Sequence, residues 1–170
     1  MSAKGLEGVS VGKSRLSWID GEKGELIYGG YEIDDVLSAV DYLKTLPHVD
    51  QDRLGMMGWS HGGYITLLSI LRDTTPIKAA AAIVPVTNLI FRLSYKGPGY
   101  QRRFSTQEGL RGLPFEKREE YIRRSPYYHV DSLRKPLLVL LDDASTDATE
   151  AIAREYEQRD RRVRYFRHSA

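Results

Sequence analysis

The chain has 170 residues, of which 41% are hydrophobic, and a formal net charge of +2 at pH 7. This composition fits a globular chain with its own core, and it argues neither for nor against a nucleic-acid partner; we expect none. The absence of cysteine excludes disulfides, thiolate nucleophiles and zinc–thiolate sites. The first residues lack the apolar core of a signal peptide, and no apolar run reaches membrane-spanning length, so we expect a cytoplasmic protein without a membrane partner.

The first predicted elements are a hairpin, a helix and the strand that follows them. Two apolar arms around a turn-forming stretch predict a β-hairpin over 14–30. Apolar side chains then recur at helical spacing, which predicts an amphipathic helix over 32–46. A short apolar run predicts a buried strand over 53–57, and a second apolar run predicts a helix over 61–72.

The middle of the chain is less regular. The alanine-rich run 79–84 follows a helix and ends at Pro85, which favours a strand. Residues 86–134 form a long polar insertion, in which the stretch 115–124 predicts a helix.

The last part of the chain returns to alternating strands and helices. Residues 137–141 form the clearest strand, followed by a predicted helix over 147–158 and a last strand over 163–166. This alternation predicts an α/β fold with a mostly parallel sheet, and any site should lie at the carboxyl ends of its strands. We expect one domain over 1–170, made of a hairpin segment (1–31), a core (32–138) and a C-terminal helix and strand (139–170).

One motif points to chemistry. The segment Gly58–Gly63, with the sequence G-W-S-H-G-G, lies between a predicted strand and a predicted helix. This is the G-x-S-x-G pattern of a nucleophile elbow, in which small residues permit a sharp and strained turn. Such a turn lifts the Ser60 hydroxyl above the carboxyl end of the sheet and aims the backbone N–H of His61 at a developing oxyanion. We therefore predict Ser60 as the nucleophile and the His61 N–H as an oxyanion donor.

The residues around this motif resemble the catalytic domain of the prolyl oligopeptidase family of serine peptidases. The resemblance runs from about Glu32 to Leu138, and three segments show it most clearly: 32–36, 49–64, and 125–133 with 136–139. It implies a truncated α/β-hydrolase-like sheet with an N-terminal β-hairpin, and acyl transfer from a small peptide or ester to water. It implies no cofactor and no metal.

The two ends of the chain resemble other families. Residues 4–9 and 19–28 are similar to the amino-terminal hairpin of citrate synthases, a part of those enzymes without catalytic residues. Residues 140–156 and 161–164 are similar to the nucleotide-binding start of family 2 glycosyltransferases, where aspartates hold the nucleotide of a sugar donor. We interpret the chain as a mosaic of family segments.

A serine nucleophile also needs a base and an orienting acid. In α/β-hydrolases the chain order is serine, acid, histidine, which favours His168, after the last predicted strand, as the base. The acid should follow the strand at 137–141, and Asp147 is our choice because it begins a helix facing the strand ends. Asp147 is equally well explained as a carboxylate at a helix N-terminus. Because only two residues follow His168, we expect it to lie outside hydrogen-bond reach of Ser60.

Two features of the sequence leave other functions open. The segment 1–31 contains no second oxyanion donor, so we expect slow hydrolysis confined to activated esters. We also expect the elbow strand at an edge of the sheet, covered only by the hairpin. One alternative is a folded but catalytically inert mosaic or designed chain. Another is nucleotide-sugar binding through Asp142, Asp143 and Asp147.

Overall fold

The computed structural model describes residues 8–11, 28–107, 110–140, 149–159, 161 and 165. The chain divides into two compact units, one ending at Val139 and one beginning at Leu140. In the described part of the chain, no helix is both long enough and apolar enough to cross a bilayer.

The strands are β1 (Gly8–Val11), β2 (Gly55–Trp59), β3 (Ala79–Ile83) and β4 (Leu137–Leu140), and the helices are α1 (Tyr31–Lys44), α2 (His61–Ile70), α3 (Leu89–Ser94), α4 (Pro98–Ser105), α5 (Arg118–Arg123) and α6 (Thr149–Arg159).

The strands form one sheet in the order β1-β2-β3-β4. The pairs β1–β2 and β2–β3 are parallel, with Gly55 opposite both Gly8 and Ala79, and Trp59 opposite Ile83. The predicted α/β fold with a mostly parallel sheet is confirmed. The expectation of an edge position for β2 is wrong, because β1 covers its outer side. Sequence reasoning missed β1 because this strand has only four residues, Gly-Val-Ser-Val, with too few apolar positions to stand out.

The other boundaries shift by a few residues. The strand predicted over 53–57 begins at Gly55, because Gln51–Arg53 form a 3₁₀ turn that the Asp50 carboxylate caps at the N–H of Asp52. The helix predicted over 115–124 begins only at Arg118. The predicted helix over 147–158 is observed as α6. Most of the predicted hairpin over 14–30 and of the strand over 163–166 lies outside the described residues.

Helix α2 is the centre of the larger unit. Eight of its ten residues are buried, which is the pattern of a helix enclosed on all sides. It packs against β2, β3 and α1, and the α1 residues that face the core are Ile33, Val36 and Val40. Because α2 cannot shift without disrupting this core, it holds the residue at its N-terminus in a fixed place.

Tyr64 links α2 to distant parts of the unit. Its buried hydroxyl donates to the carbonyl of Arg124 at 2.8 Å, and burial raises the pKa of this hydroxyl, which keeps it protonated as a donor. The Arg124 guanidinium in turn donates to the carbonyl of Tyr28 at 2.7 Å. The turn after Tyr28 contains Gly29 at φ +71°, where a Cβ would stand only 2.5 Å from the Tyr64 hydroxyl. The turn before α1, helix α2 and the end of α5 are thus joined through two side chains.

The Tyr64 bond can be tested by removing one oxygen. Tyr64→Phe leaves the buried carbonyl of Arg124 without this donor, so we expect the free energy of unfolding to fall by about 1–2 kcal/mol in urea denaturation. Tyr42→Phe is the matched control, because the Tyr42 side chain on α1 is 65% exposed. Equal stability of the two variants would contradict the structural role of the Tyr64 hydroxyl.

Candidate active site

Ser60 occupies the turn between β2 and α2. Its backbone has φ 54° and ψ −110°, a conformation that residues with a side chain rarely adopt. Two hydrogen bonds fix it there: its N–H donates to the carbonyl of Ile83 on β3 at 2.8 Å, and its carbonyl accepts from the N–H of Tyr64 at 3.0 Å. The residue is exposed, and its side chain makes no capping bond. The prediction that Ser60 lies in a strand-to-helix turn at the carboxyl end of the sheet is confirmed.

The turn is possible only because two glycines let backbone segments touch. A Cβ on Gly58 would lie 2.1 Å from the carbonyl oxygen of Gly62, far inside contact distance. A Cβ on Gly63 would lie 3.0 Å from the Cβ of Pro85 and 3.1 Å from the carbonyl oxygen of Ile83. The first contact holds α2 against β2, and the second holds it against the chain that leaves β3.

The start of α2 offers unpaired donors beside Ser60. The N–H of Tyr64 is the first in α2 to donate to a carbonyl four residues earlier, that of Ser60. The N–H groups that precede it, beginning with that of His61, therefore have no partner within the helix. A helix N-terminus carries partial positive charge and suits a developing negative charge. This geometry is the one that an oxyanion donor at the N–H of His61 requires.

A second strained residue lies at the same end of the sheet. Val84 follows β3 directly and has φ 40°, which is an outlier for a β-branched residue. The carbonyl of the preceding residue, Ile83, accepts the hydrogen bond from the N–H of Ser60. Sequence reasoning missed this position, and its one signal is the following proline, which restricts the backbone of the residue before it. Strain of this kind clusters at functional sites.

The side chain of His61 points into an aromatic environment. Its ring meets Tyr28 edge-on at 4.4 Å between centroids and stacks on Tyr64 at 5.5 Å. Both ring nitrogens are buried, and neither has a hydrogen-bond partner among the residues that the structure describes. This burial, with the nearby positive charge of Arg92 as a smaller cause, lowers the pKa of His61 to about 4. The imidazole is therefore neutral at pH 7 and has no hydrogen bond to Ser60, which agrees with assigning only its backbone to the site.

The aromatic contacts extend from His61 to a cation. The ring centroid of Tyr28 lies 4.6 Å from that of Phe104, and the Phe104 ring stacks on the Tyr100 ring with 5.7 Å between centroids. The Tyr100 hydroxyl accepts a hydrogen bond from Nε of Arg92 at 2.8 Å. Burial raises the pKa of Tyr28 to about 12, so this hydroxyl stays neutral. We call Tyr28, His61, Tyr64, Tyr100 and Phe104 the aromatic cluster.

The predicted base and acid lie outside the described residues. Neither His168 nor Asp147 is among them, and the same is true of Asp142 and Asp143. His129 is described and lies in a 3₁₀ helix, Pro126–Ser132; its Nε2 is 2.9 Å from the carbonyl of Arg123, a contact that holds this 3₁₀ helix to α5.

Comparison with known proteins identifies the family. The pattern of the prolyl oligopeptidase family matches residues 17–152. The chain belongs to this family. An uncharacterized peptidase, YuxL of Bacillus subtilis, is 38% identical over 114 residues, which is 66% of this chain and 17% of that protein. The crystal structure of Porphyromonas gingivalis dipeptidyl peptidase 4 superimposes with a TM-score of 0.56 and 30% identity over 76% of this chain and 18% of the other.

These matches confirm the predicted family and the α/β-hydrolase type of the fold. The matched range begins before 32 and ends after 138, so it covers more of the chain than the resemblance stated from the sequence. The chain spans less than a fifth of the length of these two relatives. Another relative, inactive dipeptidyl peptidase 10 of Mus musculus, is 26% identical over 113 residues, 66% of this chain and 13% of that protein.

The close approach at Gly58 gives a direct test of the turn. Gly58→Ala places a methyl group against the Gly62 carbonyl, so we expect a loss of about 3 kcal/mol or more in chemical denaturation, or no folded protein at all. Gly99→Ala is the matched control, because a Cβ there meets nothing within 4 Å and alanine favours the interior of α4. A Gly58→Ala protein as stable as the control would contradict the described packing of α2.

Burial of His61 predicts acid sensitivity. The folded-state pKa of about 4 lies below the ordinary value of 6.5, so the unfolded chain binds the proton first. Stability is therefore full above about pH 6.5 and is lost as the pH falls toward 4, by about 3 kcal/mol for this group alone. We expect His61→Phe, which keeps a ring in the cluster, to remove that part of the pH dependence of unfolding. Identical pH profiles for the two proteins would show that the imidazole is not buried in solution.

Proposed function

We propose that this chain is a serine hydrolase in which Ser60 transfers the acyl group of a small peptide or ester to water. The observation that supports it most is the state of Ser60. This residue is exposed and strained, and it stands at the N-terminus of a helix enclosed by the core. A structural serine at a helix start would cap the helix with its hydroxyl, and Ser60 makes no such bond.

The proposed first step follows from this arrangement. The hydroxyl oxygen of Ser60 attacks the substrate carbonyl, and the negative charge that develops on the carbonyl oxygen is stabilised by the N–H of His61. The donor is preorganised, because Gly58 and Gly63 lock the first turn of α2 against β2 and against the end of β3. No rearrangement of the backbone is then needed when charge develops.

The proton transfers are assigned from the order of residues along the chain. We propose His168 as the base and Asp147 as the acid that orients it. The segment 1–31 has no recognisable second oxyanion donor, and loss of one donor typically costs about 10²–10³ in rate. We therefore expect slow turnover and a preference for activated esters.

Several narrower expectations stay predictions. They are the single domain over 1–170, the cytoplasmic location, the absence of nucleic-acid and membrane partners, and the mosaic origin with its citrate synthase and glycosyltransferase segments. The inert chain and the nucleotide-sugar site at Asp142, Asp143 and Asp147 remain the alternatives, and no described contact favours either.

A fluorophosphonate probe tests the proposal. We expect covalent labelling of the wild-type chain and its loss in Ser60→Ala, measured by intact mass, because only an activated serine reacts with this electrophile. Ser94→Ala is the matched control, since Ser94 is an exposed serine at the end of α3. Unlabelled wild-type protein with native stability would support the inert alternative. Binding of a uridine diphosphate sugar by such protein would support the nucleotide-sugar site.

A further inference from the structure

The segment beside the active site is cationic and contains no acid. From 74 to 107 there is no aspartate or glutamate, whereas the stretch contains two lysines and three arginines: Lys78, Arg92, Lys96, Arg102 and Arg103. This stretch includes β3, the strained turn after it, α3 and α4. The chain as a whole has almost balanced charge, so this local excess stands out.

Arg92 is a cation of this segment whose side chain is oriented by a hydrogen bond. Its side chain is half-buried, its Nε donates to the Tyr100 hydroxyl at 2.8 Å, and its guanidinium lies 5.5 Å from the centre of the Tyr100 ring. The Nζ atom of Lys96 lies 5.7 Å from the centre of the Tyr100 ring and 5.1 Å from the centre of the Tyr95 ring. In the described part of the chain neither Arg92 nor Lys96 forms an ion pair with a carboxylate. A partly exposed, oriented guanidinium that forms no ion pair with a described carboxylate is available to an anionic ligand.

The aromatic cluster connects Arg92 to the elbow. Tyr100 stacks on Phe104, Phe104 contacts Tyr28, and Tyr28 contacts the ring of His61, the residue that follows Ser60. The positive charge of Arg92 is the smaller of the two causes that lower the pKa of His61, after burial. The apolar rings weaken solvent screening, so the charge acts more strongly here than it would in water.

We propose that Arg92 is a specificity residue that binds a carboxylate of the substrate, so that the enzyme prefers peptides or esters with an acidic group on the acyl side of the scissile bond. Nε is held by Tyr100, and no described residue bonds the two terminal nitrogens, which can bind a carboxylate bidentately, the geometry for which arginine is best suited. Lys96 adds attraction at longer range. The inferred substrate preference rests on the proposed nucleophilic role of Ser60. Binding of a carboxylate at Arg92 can be tested without catalysis.

The kinetic test uses two esters that differ by one charge. The substrates are the mono-p-nitrophenyl ester of glutaric acid, which is anionic, and the neutral p-nitrophenyl pentanoate. We expect the wild-type chain to prefer the anionic ester, and Arg92→Met to reduce the ratio of the two kcat/KM values by about tenfold, mainly through KM. Arg92→Lys should keep part of the preference, and added salt should weaken it. Arg118→Met is the matched control, because Arg118 is an exposed arginine at the start of α5.

The binding test separates this inference from the proposed function. Calorimetric titration of Ser60→Ala with sodium glutarate and with neutral glutaramide requires no turnover. We expect glutarate to bind more tightly, and the double variant Ser60→Ala, Arg92→Met to bind it about tenfold more weakly. If glutarate binding depends on Arg92 but the wild-type chain hydrolyses neither ester, the hydrolase proposal alone is overturned. Equal glutarate binding with and without Arg92, or an unchanged ester ratio in Arg92→Met, would overturn the carboxylate site.

Discussion

The structure depends on one close approach between backbone segments, at the point where β2 turns into α2. There the Cα of Gly58 faces the carbonyl of Gly62 with no room for a methyl group between them. The same crossing places Gly63 against Pro85 and against the carbonyl of Ile83. A side chain at Gly58 or Gly63 would push α2 away from the sheet and would move Ser60 with it. The strain at Ser60 persists because the buried faces of α2 hold both sides of the turn.

Electrostatics around this turn follow from burial. His61 and Tyr28 sit among other rings, so both stay neutral over the physiological range. Arg92 is a charged group at the border of these rings, and its Nε donates to the Tyr100 hydroxyl. Neutral rings beside an oriented guanidinium favour an anionic ligand over a cationic one. This asymmetry is the physical basis for the proposed choice of substrate.

Much of this could be read from the sequence, because the relevant signals are local. Glycines on both sides of Ser60, between two apolar runs, predict the elbow, and Pro85 marks the end of β3. The position of β2 in the sheet could not be predicted, since β1 is too short to show a pattern and its pairing is a long-range contact. The environment of His61 could not be predicted for the same reason: Tyr28, which contacts the His61 ring, and Phe104, which contacts Tyr28, come from distant parts of the chain. Arg92 was visible as a charge, but its orientation by Tyr100 is a property of the folded chain.

The central claim is that Ser60 forms a covalent bond with the acyl group of the substrate. It is tested most directly by mixing the protein with an activated ester, quenching in acid within the first turnover and mapping the modified peptide by mass spectrometry. The account predicts one acyl group on Ser60, in the peptide that joins β2 to α2. An acyl group on another residue, or ester hydrolysis without any covalent adduct under these conditions, would contradict it.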